Sequence, residues 1–345
     1  MKALHLAIFD RNIGDNALNY VIDNMFKDKF DTYKTYNIYK KTLIDKNTID
    51  YLNSFDVLII GGGGLLSSHV PGKKITKWGT AIRIPLDKVK SKKVFYSLGY
   101  NNFYPDIAPA GKLVNQLDYI INDKNSYISL RNDGSKERLQ DYIDSNKIRT
   151  IPDAGTFFNI KKEFPEYILI NIAMDSIPVR YGSIEKPLKI LEKVLKPYEK
   201  EKIMFAFHTP DDVRITKVDY FKILQNKFNI SIYPFDNNYK NTITSWAVYS
   251  KAKFVIGTRG HSQILCAGNS IPCFSIDSHP KIRDYARLNN LGSFCSNIDD
   301  KDIFKKFAYF TENIEEYLKK CLKLKTIWDE QICNYNKELL NELYN

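Results

Sequence analysis

Gly257-Thr258-Arg259-Gly260-His261-Ser262 places a guanidinium and an imidazole two positions apart, between glycines. Arg259 offers a planar fork of donors suited to a carboxylate or a phosphate. His261 offers a proton that can be given or taken near neutral pH. Upstream, Phe254-Val255-Ile256 reads as the end of a buried strand. Downstream, Ser262 to Ala267 reads as a short helix closed by Gly268, and Ile271 to Ile276 as another strand. Arg259 and His261 therefore stand where a strand ends and a helix begins. Backbone N–H groups and the helix dipole favour an anion there. The chemistry expected is anion binding next to proton transfer. The plainer account is a salt-bridged arginine and a packed histidine.

Other stretches carry weaker signals. Asn12-Ile13-Gly14-Asp15 follows a first apolar run, and is a loop contact or a turn in which Asp15 or Asn16 caps a helix. Gly61-Gly62-Gly63-Gly64 follows Val57-Leu58-Ile59-Ile60 and would let a ligand approach the backbone, or make a tight turn between strand and helix. It is not the dinucleotide fingerprint, because Leu66 stands where the last glycine belongs, and no Gly-Lys-Ser/Thr follows to make a P-loop. Arg131 precedes the turn Asn132-Asp133-Gly134, with Ser135 placed to cap a helix from Lys136 to Ile143; a surface arginine here would pair with a nearby acid. His208-Thr209-Pro210-Asp211-Asp212 suits a group that polarises a hydroxyl, or a loop whose acids cap the next helix. One histidine and two carboxylates need a further ligand before they hold a metal. His5 and His69 read as structural, and His279 lies in a further loop after a strand.

Apolar runs at Leu4–Phe9, Phe55–Ile60, Lys93–Gly99, Tyr119–Ile121, Tyr127–Leu130, Tyr167–Ile172, Lys202–Phe207 and Ile230–Tyr233 read as strands. Helical spacing recurs between them, as in Ala17–Phe26, Ile184–Leu195 and Thr244–Lys251, and dominates Phe304–Leu343. The alternation predicts an α/β fold with parallel sheets. A chain of 345 residues suggests about two domains, assigned as 1–160 and 161–345. Two doubly wound halves facing a cleft are expected. Every motif above lies at the carboxyl end of a strand, where such sheets bind ligands.

Composition narrows the class. No apolar run approaches the roughly 20 residues of a membrane helix, and Met1–Asp10 is too short in its apolar part for a signal peptide. The 5 cysteines are scattered without a Cys-x-x-Cys pair, which argues for a reducing, cytoplasmic location and against a disulfide framework. A net charge of +11 points to anionic partners. Lys73, Lys74, Lys77, Arg83, Lys88, Lys90, Lys92 and Lys93 concentrate it, as a solvated face or as a peripheral contact with an anionic membrane. Nucleic acid is not expected, since no helix-turn-helix, zinc or RNA-binding signature is present.

Taken in order, these stretches resemble the polysaccharide pyruvyl transferase family. The matching residues are Asn12-Ile13-Gly14-Asp15, Asp56 to Leu66, Ser129-Leu130-Arg131 with Ser135, Asp153-Ala154, His208 with Asp211 or Asp212, Gly257 to Ser262, Ala267-Gly268 and Ile271-Pro272. Arg11 stands where the family often has glycine, and Asn132 where it usually has aspartate, with Asp133 next. The resemblance implies a GT-B-like fold, phosphoenolpyruvate as donor, and a sugar of a cell-surface polysaccharide or its lipid-linked precursor as acceptor. It implies that Arg259 and Arg131 bind the donor, with Gly260 and Ser262 beside them, and that His261 is the general acid. His208 or a nearby aspartate would take the hydroxyl proton, and Asn12, Gly14, Asp15 and Gly61 to Gly64 would contact the acceptor or shape its loops. No cofactor or metal is required by that route, phosphoenolpyruvate being a co-substrate. A GT-B glycosyltransferase with a nucleotide-sugar donor and a non-enzymatic basic adaptor are the competing readings.

Overall fold

The structure is a computed structural model that describes residues 1–38, 45–67, 85–103, 108–109 and 111–345. His69, Lys73, Lys74, Lys77 and Arg83 lie outside the described residues.

The chain forms two compact units. One comprises Met1–Phe9, Leu18–Ala154 and Thr326–Asn345, the other Asp10–Ala17 and Gly155–Lys325. The sequence reading put one boundary at 160 and kept all of 161–345 together. Here the division falls between Ala154 and Gly155, Asp10–Ala17 group with the second unit, and Thr326–Asn345 group with the first.

The first unit holds the strands β1 (Lys2–Ala7), β2 (Thr32–Asn37), β3 (Val57–Ser67), β4 (Lys92–Asn101), β5 (Ser126–Arg131) and β6 (Arg149–Ile151). They pair in the order β2-β1-β3-β4-β5-β6, all parallel. Val57, Leu58, Ile59 and Ile60 are wholly buried, as an apolar run covered on both faces must be. Each such side chain stabilises the sheet by about 1.5–3 kcal/mol relative to exposure. The second unit holds β7 (Tyr167–Asn171), β8 (Ile203–Phe205), β9 (Ile230–Ile232), β10 (Ala252–Gly257), β11 (Cys273–Asp277) and β12 (Cys295–Asn297), in the order β12-β11-β10-β7-β8-β9, again parallel. In this doubly wound order the chain runs outward from β7 to β9, then restarts on the other side of β7 with β10. The switch point therefore lies between β7 and β10, the place where such sheets bind ligands.

The helices are α1 (Ile13–Phe26), α2 (Lys46–Leu52), α3 (Gly111–Asn122), α4 (Ile177–Arg180), α5 (Glu185–Leu195), α6 (Asp219–Lys227), α7 (Thr242–Trp246), α8 (Gly260–Gly268), α9 (Pro280–Leu288), α10 (Ile303–Glu312) and α11 (Ile314–Tyr344). No described helix is long and apolar enough to cross a membrane. In α5, Leu188, Leu191, Val194 and Leu195 are buried at helical spacing, as expected.

Several expectations are corrected. Tyr119–Ile121 is not a strand but the last full turn of α3, because Leu113, Leu117 and Ile120 form one buried helical stripe. No helix follows Ser135. Its hydroxyl bonds to Asp133 and accepts the Tyr100 N–H at 2.7 Å, and the segment stays a series of turns. Gly61–Gly64 make no strand-to-helix turn: they continue β3, with Gly62 and Gly63 at φ of 79° and 88°. The glycines are required for that left-handed backbone inside a strand, where the register against β4 shifts. Of the basic stretch only Lys88, Lys90, Lys92 and Lys93 are among the described residues; Lys88 and Lys90 are exposed, and the other two are not a solvated face. Lys93 is 2% exposed and pairs with Asp123 at 3.0 Å, and Lys92 Nζ donates to the Leu343 carbonyl at 2.8 Å.

Candidate active site

The site is assembled in the second unit at the carboxyl ends of β7 and β10, which pair through Gly257 and Asn171. Arg259 caps α8 with extended backbone, and His261 lies in the first turn of that helix. The Arg259 guanidinium is 11% exposed and bridges two carboxylates. Nε donates to Asp212 Oδ2 at 3.2 Å, Nη2 meets Asp212 Oδ1, and Nη1 lies 2.6 Å from Asp175 Oδ1. Burial works against its charge, but Asp212 and Asp175 outweigh that and raise its pKa above the ordinary arginine value. Asp175 also receives Arg180 Nη2 at 2.9 Å. Burial alone would raise the Asp175 pKa; Arg259 and Arg180 instead hold it well below the usual carboxylate range. Arg180 Nη1 donates in turn to Ser278 Oγ at 3.2 Å. Lys281, in the first turn of α9, adds a cation over Gly260, its Cε 3.4 Å from where a Cβ there would sit.

The sequence reading found Arg259 and His261 and missed Asp175, Arg180 and Lys281. All three follow the carboxyl ends of β7 or β11, so the strand-end rule could have found them.

The Asn12–Asp15 motif is part of this same site. Residues 10–17 belong to the second unit, and three hydrogen bonds show why. Ile13 N–H donates to the His208 carbonyl at 2.9 Å, Trp246 Nε1 donates to the Ile13 carbonyl at 2.9 Å, and Asn16 Nδ2 donates to the Asn237 carbonyl at 2.9 Å. Helix α1 starts four residues earlier than Ala17, the predicted start, with Asn12 Oδ1 accepting the Gly14 N–H at 2.9 Å. Gly14 faces the imidazole of His261: a Cβ at Gly14 would lie 2.3 Å from Nδ1. Next to it, Asp15 Oδ1 is 3.8 Å from His261 Nε2.

Three candidates are placed differently from expectation. His208 is wholly buried, with Nε2 sharing a 2.8 Å hydrogen bond with the Tyr249 hydroxyl and its ring edge-on to Trp246. Burial pushes its pKa down to about 3, with Asp212 opposing and Arg259 reinforcing. That is the setting of a neutral residue that holds its loop, not of a base that meets a hydroxyl. Asp212, on the same loop, accepts the Met174, His208 and Thr209 amides as well as Arg259, while Asp211 pairs with Arg214. Among the described residues no cluster of His, Cys, Asp and Glu is arranged to hold a metal ion. Ser262 is also wholly buried, its hydroxyl held by Asn171, Tyr249 and His208 and not presented to a ligand. In the first unit, Arg131 is 1% exposed and forms a closed pair of bridges, to Asp133 at 2.6 Å and Asp153 at 2.9 Å.

The sequence profile of one family, polysaccharide pyruvyl transferase, matches residues 12–280. The chain belongs to the polysaccharide pyruvyl transferase family. That match takes in the Asn12–Asp15 turn, Arg131 and Arg259 to His261. No curated protein matches this family member. Solved structures do. The UDP-GlcNAc 2-epimerase of Methanocaldococcus jannaschii superposes with a TM-score of 0.52 at 14% identity, over 91% of this chain and 92% of that one. The Neisseria meningitidis UDP-GlcNAc 2-epimerase gives 0.55 at 13% identity over 93% and 94%. TarM of S. aureus gives 0.54 at 17% over 86% and 58%. At these identities the likeness establishes the fold: this pyruvyl transferase family member has the two Rossmann-like units of the GT-B architecture.

Proposed function

We propose that the chain transfers pyruvate from phosphoenolpyruvate to a sugar of a cell-surface polysaccharide or its lipid-linked precursor. The product is a pyruvate ketal across two hydroxyls, with phosphate released. The observation that carries this reading is the Arg259-Gly260-His261 turn at the switch point of the second sheet, in a chain of this family. Arg259, Arg180 and Lys281 gather cations beside the first turns of α8 and α9, a setting that favours a ligand with a carboxylate and a phosphate. His261 stands next to them with a titratable nitrogen, as delivery of a proton to the methylene carbon requires.

The atoms balance without a redox step. His261 protonates the methylene carbon, and a sugar hydroxyl forms a bond to the adjacent carbon. A second hydroxyl then displaces phosphate from that carbon. Of the two hydroxyl protons, one restores His261 and the other leaves on phosphate. On this reading the enzyme works in the cytoplasm, with peripheral membrane contact where the saccharide is lipid-linked.

The test is phosphate release from phosphoenolpyruvate across a panel of sugars and lipid-linked sugars. Acceptor-dependent release is expected, abolished in His261→Ala with donor affinity largely kept, and lost together with affinity in Arg259→Ala. Equal loss of donor affinity in both variants would remove His261 as proton donor. No release with any acceptor, together with binding of a nucleotide sugar, would replace this reading by a glycosyltransferase.

A further inference from the structure

From the geometry of the first turn of α1 we infer that Asp15 is the positioning residue of His261, holding its ring and keeping it protonated for use as an acid. This deepens the reading of His261 as proton donor and rests on it.

The inference starts from what opposes a charged His261. Its ring lies in the first turn of α8 and against the first turn of α1, as the position of Gly14 requires. Both helix ends present N–H groups and a positive dipole, which disfavour an imidazolium. Arg259 lies two residues before it and Lys281 lies over Gly260, adding positive charge from its own turn and from α9. These neighbours all oppose the charged form of the imidazole.

Carboxylates supply the counterweight, and they are not equivalent. Asp212 and Asp175 are bound to Arg259, and Asp175 also to Arg180. The adjoining His208 is neutral, and Arg11 is exposed one turn ahead of Asp15. Among the described residues Asp15 brings a carboxylate to the imidazole, its Oδ1 3.8 Å from Nε2, with its side chain 24% exposed against 10% for His261. That separation is an ion-pair distance; catalytic contacts of this type tighten when substrate binds. An acid oriented by a carboxylate on its ring nitrogen is a general device. It explains the spacing Gly14-Asp15: the glycine lets the ring lie against the helix, and the next residue reaches its nitrogen. The hydrogen bonds from Ile13 and Trp246 fix that turn to the second unit, so the pair is set by rigid backbone.

The experiment is a histidine titration by 15N NMR on the full chain without substrate, with His261→Gln to assign the signal. In Asp15→Asn the pKa of His261 should fall by about one unit or more, and in Asp15→Glu it should return towards the wild-type value. The alkaline limb of kcat for phosphate release should shift down in parallel, which a merely structural loss would not produce. An unchanged His261 pKa in Asp15→Asn would overturn the inference. If that variant does not fold, the wild-type titration decides alone: a His261 pKa below the ordinary value of about 6.5 overturns it, and one above supports it. Because no substrate is present, the titration can succeed even where no pyruvyl transfer is found.

Discussion

At the residue scale the site depends on one missing side chain. His261 reaches Asp15 only because Gly14 has no Cβ; the atom would lie 2.3 Å from Nδ1 and 2.4 Å from Cγ. The Gly14→Ala substitution is therefore expected to push the first turns of α1 and α8 apart, because the new Cβ would also lie 2.5 Å from His261 Cβ, which no side-chain rotation moves. A displacement of about 1 Å costs on the order of a hundredfold in rate. Phosphate release should fall by at least that order and the thermal midpoint should drop; full activity in Gly14→Ala would show that His261 does not act from this position. The types of Arg259 and His261 made them visible from sequence. Their partners were not visible, because Asp212 is 47 residues from Arg259 along the chain.

At the scale of elements, the ends of strands decide which charged groups meet solvent. Arg131 ends β5, and its guanidinium is locked between Asp133 and Asp153 in the interior of the first unit. Arg131→Met would leave two buried carboxylates without their cation, a loss of about 3–5 kcal/mol. Urea unfolding should show it directly. Should the variant unfold like the wild type and lose donor affinity instead, the donor role implied by the family resemblance would be restored. Sequence patterning found most strands and helices, because burial imposes a period that the chain must obey. It failed at Tyr119–Ile121, where three apolar residues in a row matched a strand until the whole stripe of α3 was counted. It failed also at Gly61–Gly64, because a glycine run signals left-handed backbone without saying whether a turn or a bulged strand contains it.

At the scale of the whole molecule, buried histidine links stability to pH. The folded pKa of His208 is lowered to about 3 from 6.5. Between those values the unfolded chain binds a proton at this residue and the folded chain does not, so stability rises with pH. The contribution is complete above about pH 6.5 and is lost as pH falls towards 3, by up to about 1.4 kcal/mol per unit. Unfolding free energies measured from pH 4 to 7 should have a slope one proton steeper in the wild type than in His208→Gln. Equal slopes would mean that His208 is protonated in the folded state.

The sequence by itself determined the α/β class, the succession of most elements, the family and the position of Arg259 and His261 at a strand end. Each of these follows from local pattern, from hydrophobic period, or from residue type at a strand-to-helix junction. Only the tertiary structure decided that residues 10–17 join the second unit, that residues 326–345 join the first, and that Gly14 and Asp15 meet His261. It also decided that Arg131, His208 and Ser262 are interior. The physical reason is the same throughout: a charged or polar side chain becomes structural or available according to what buries it. Those neighbours come from distant parts of the chain, through packing that local spacing does not encode.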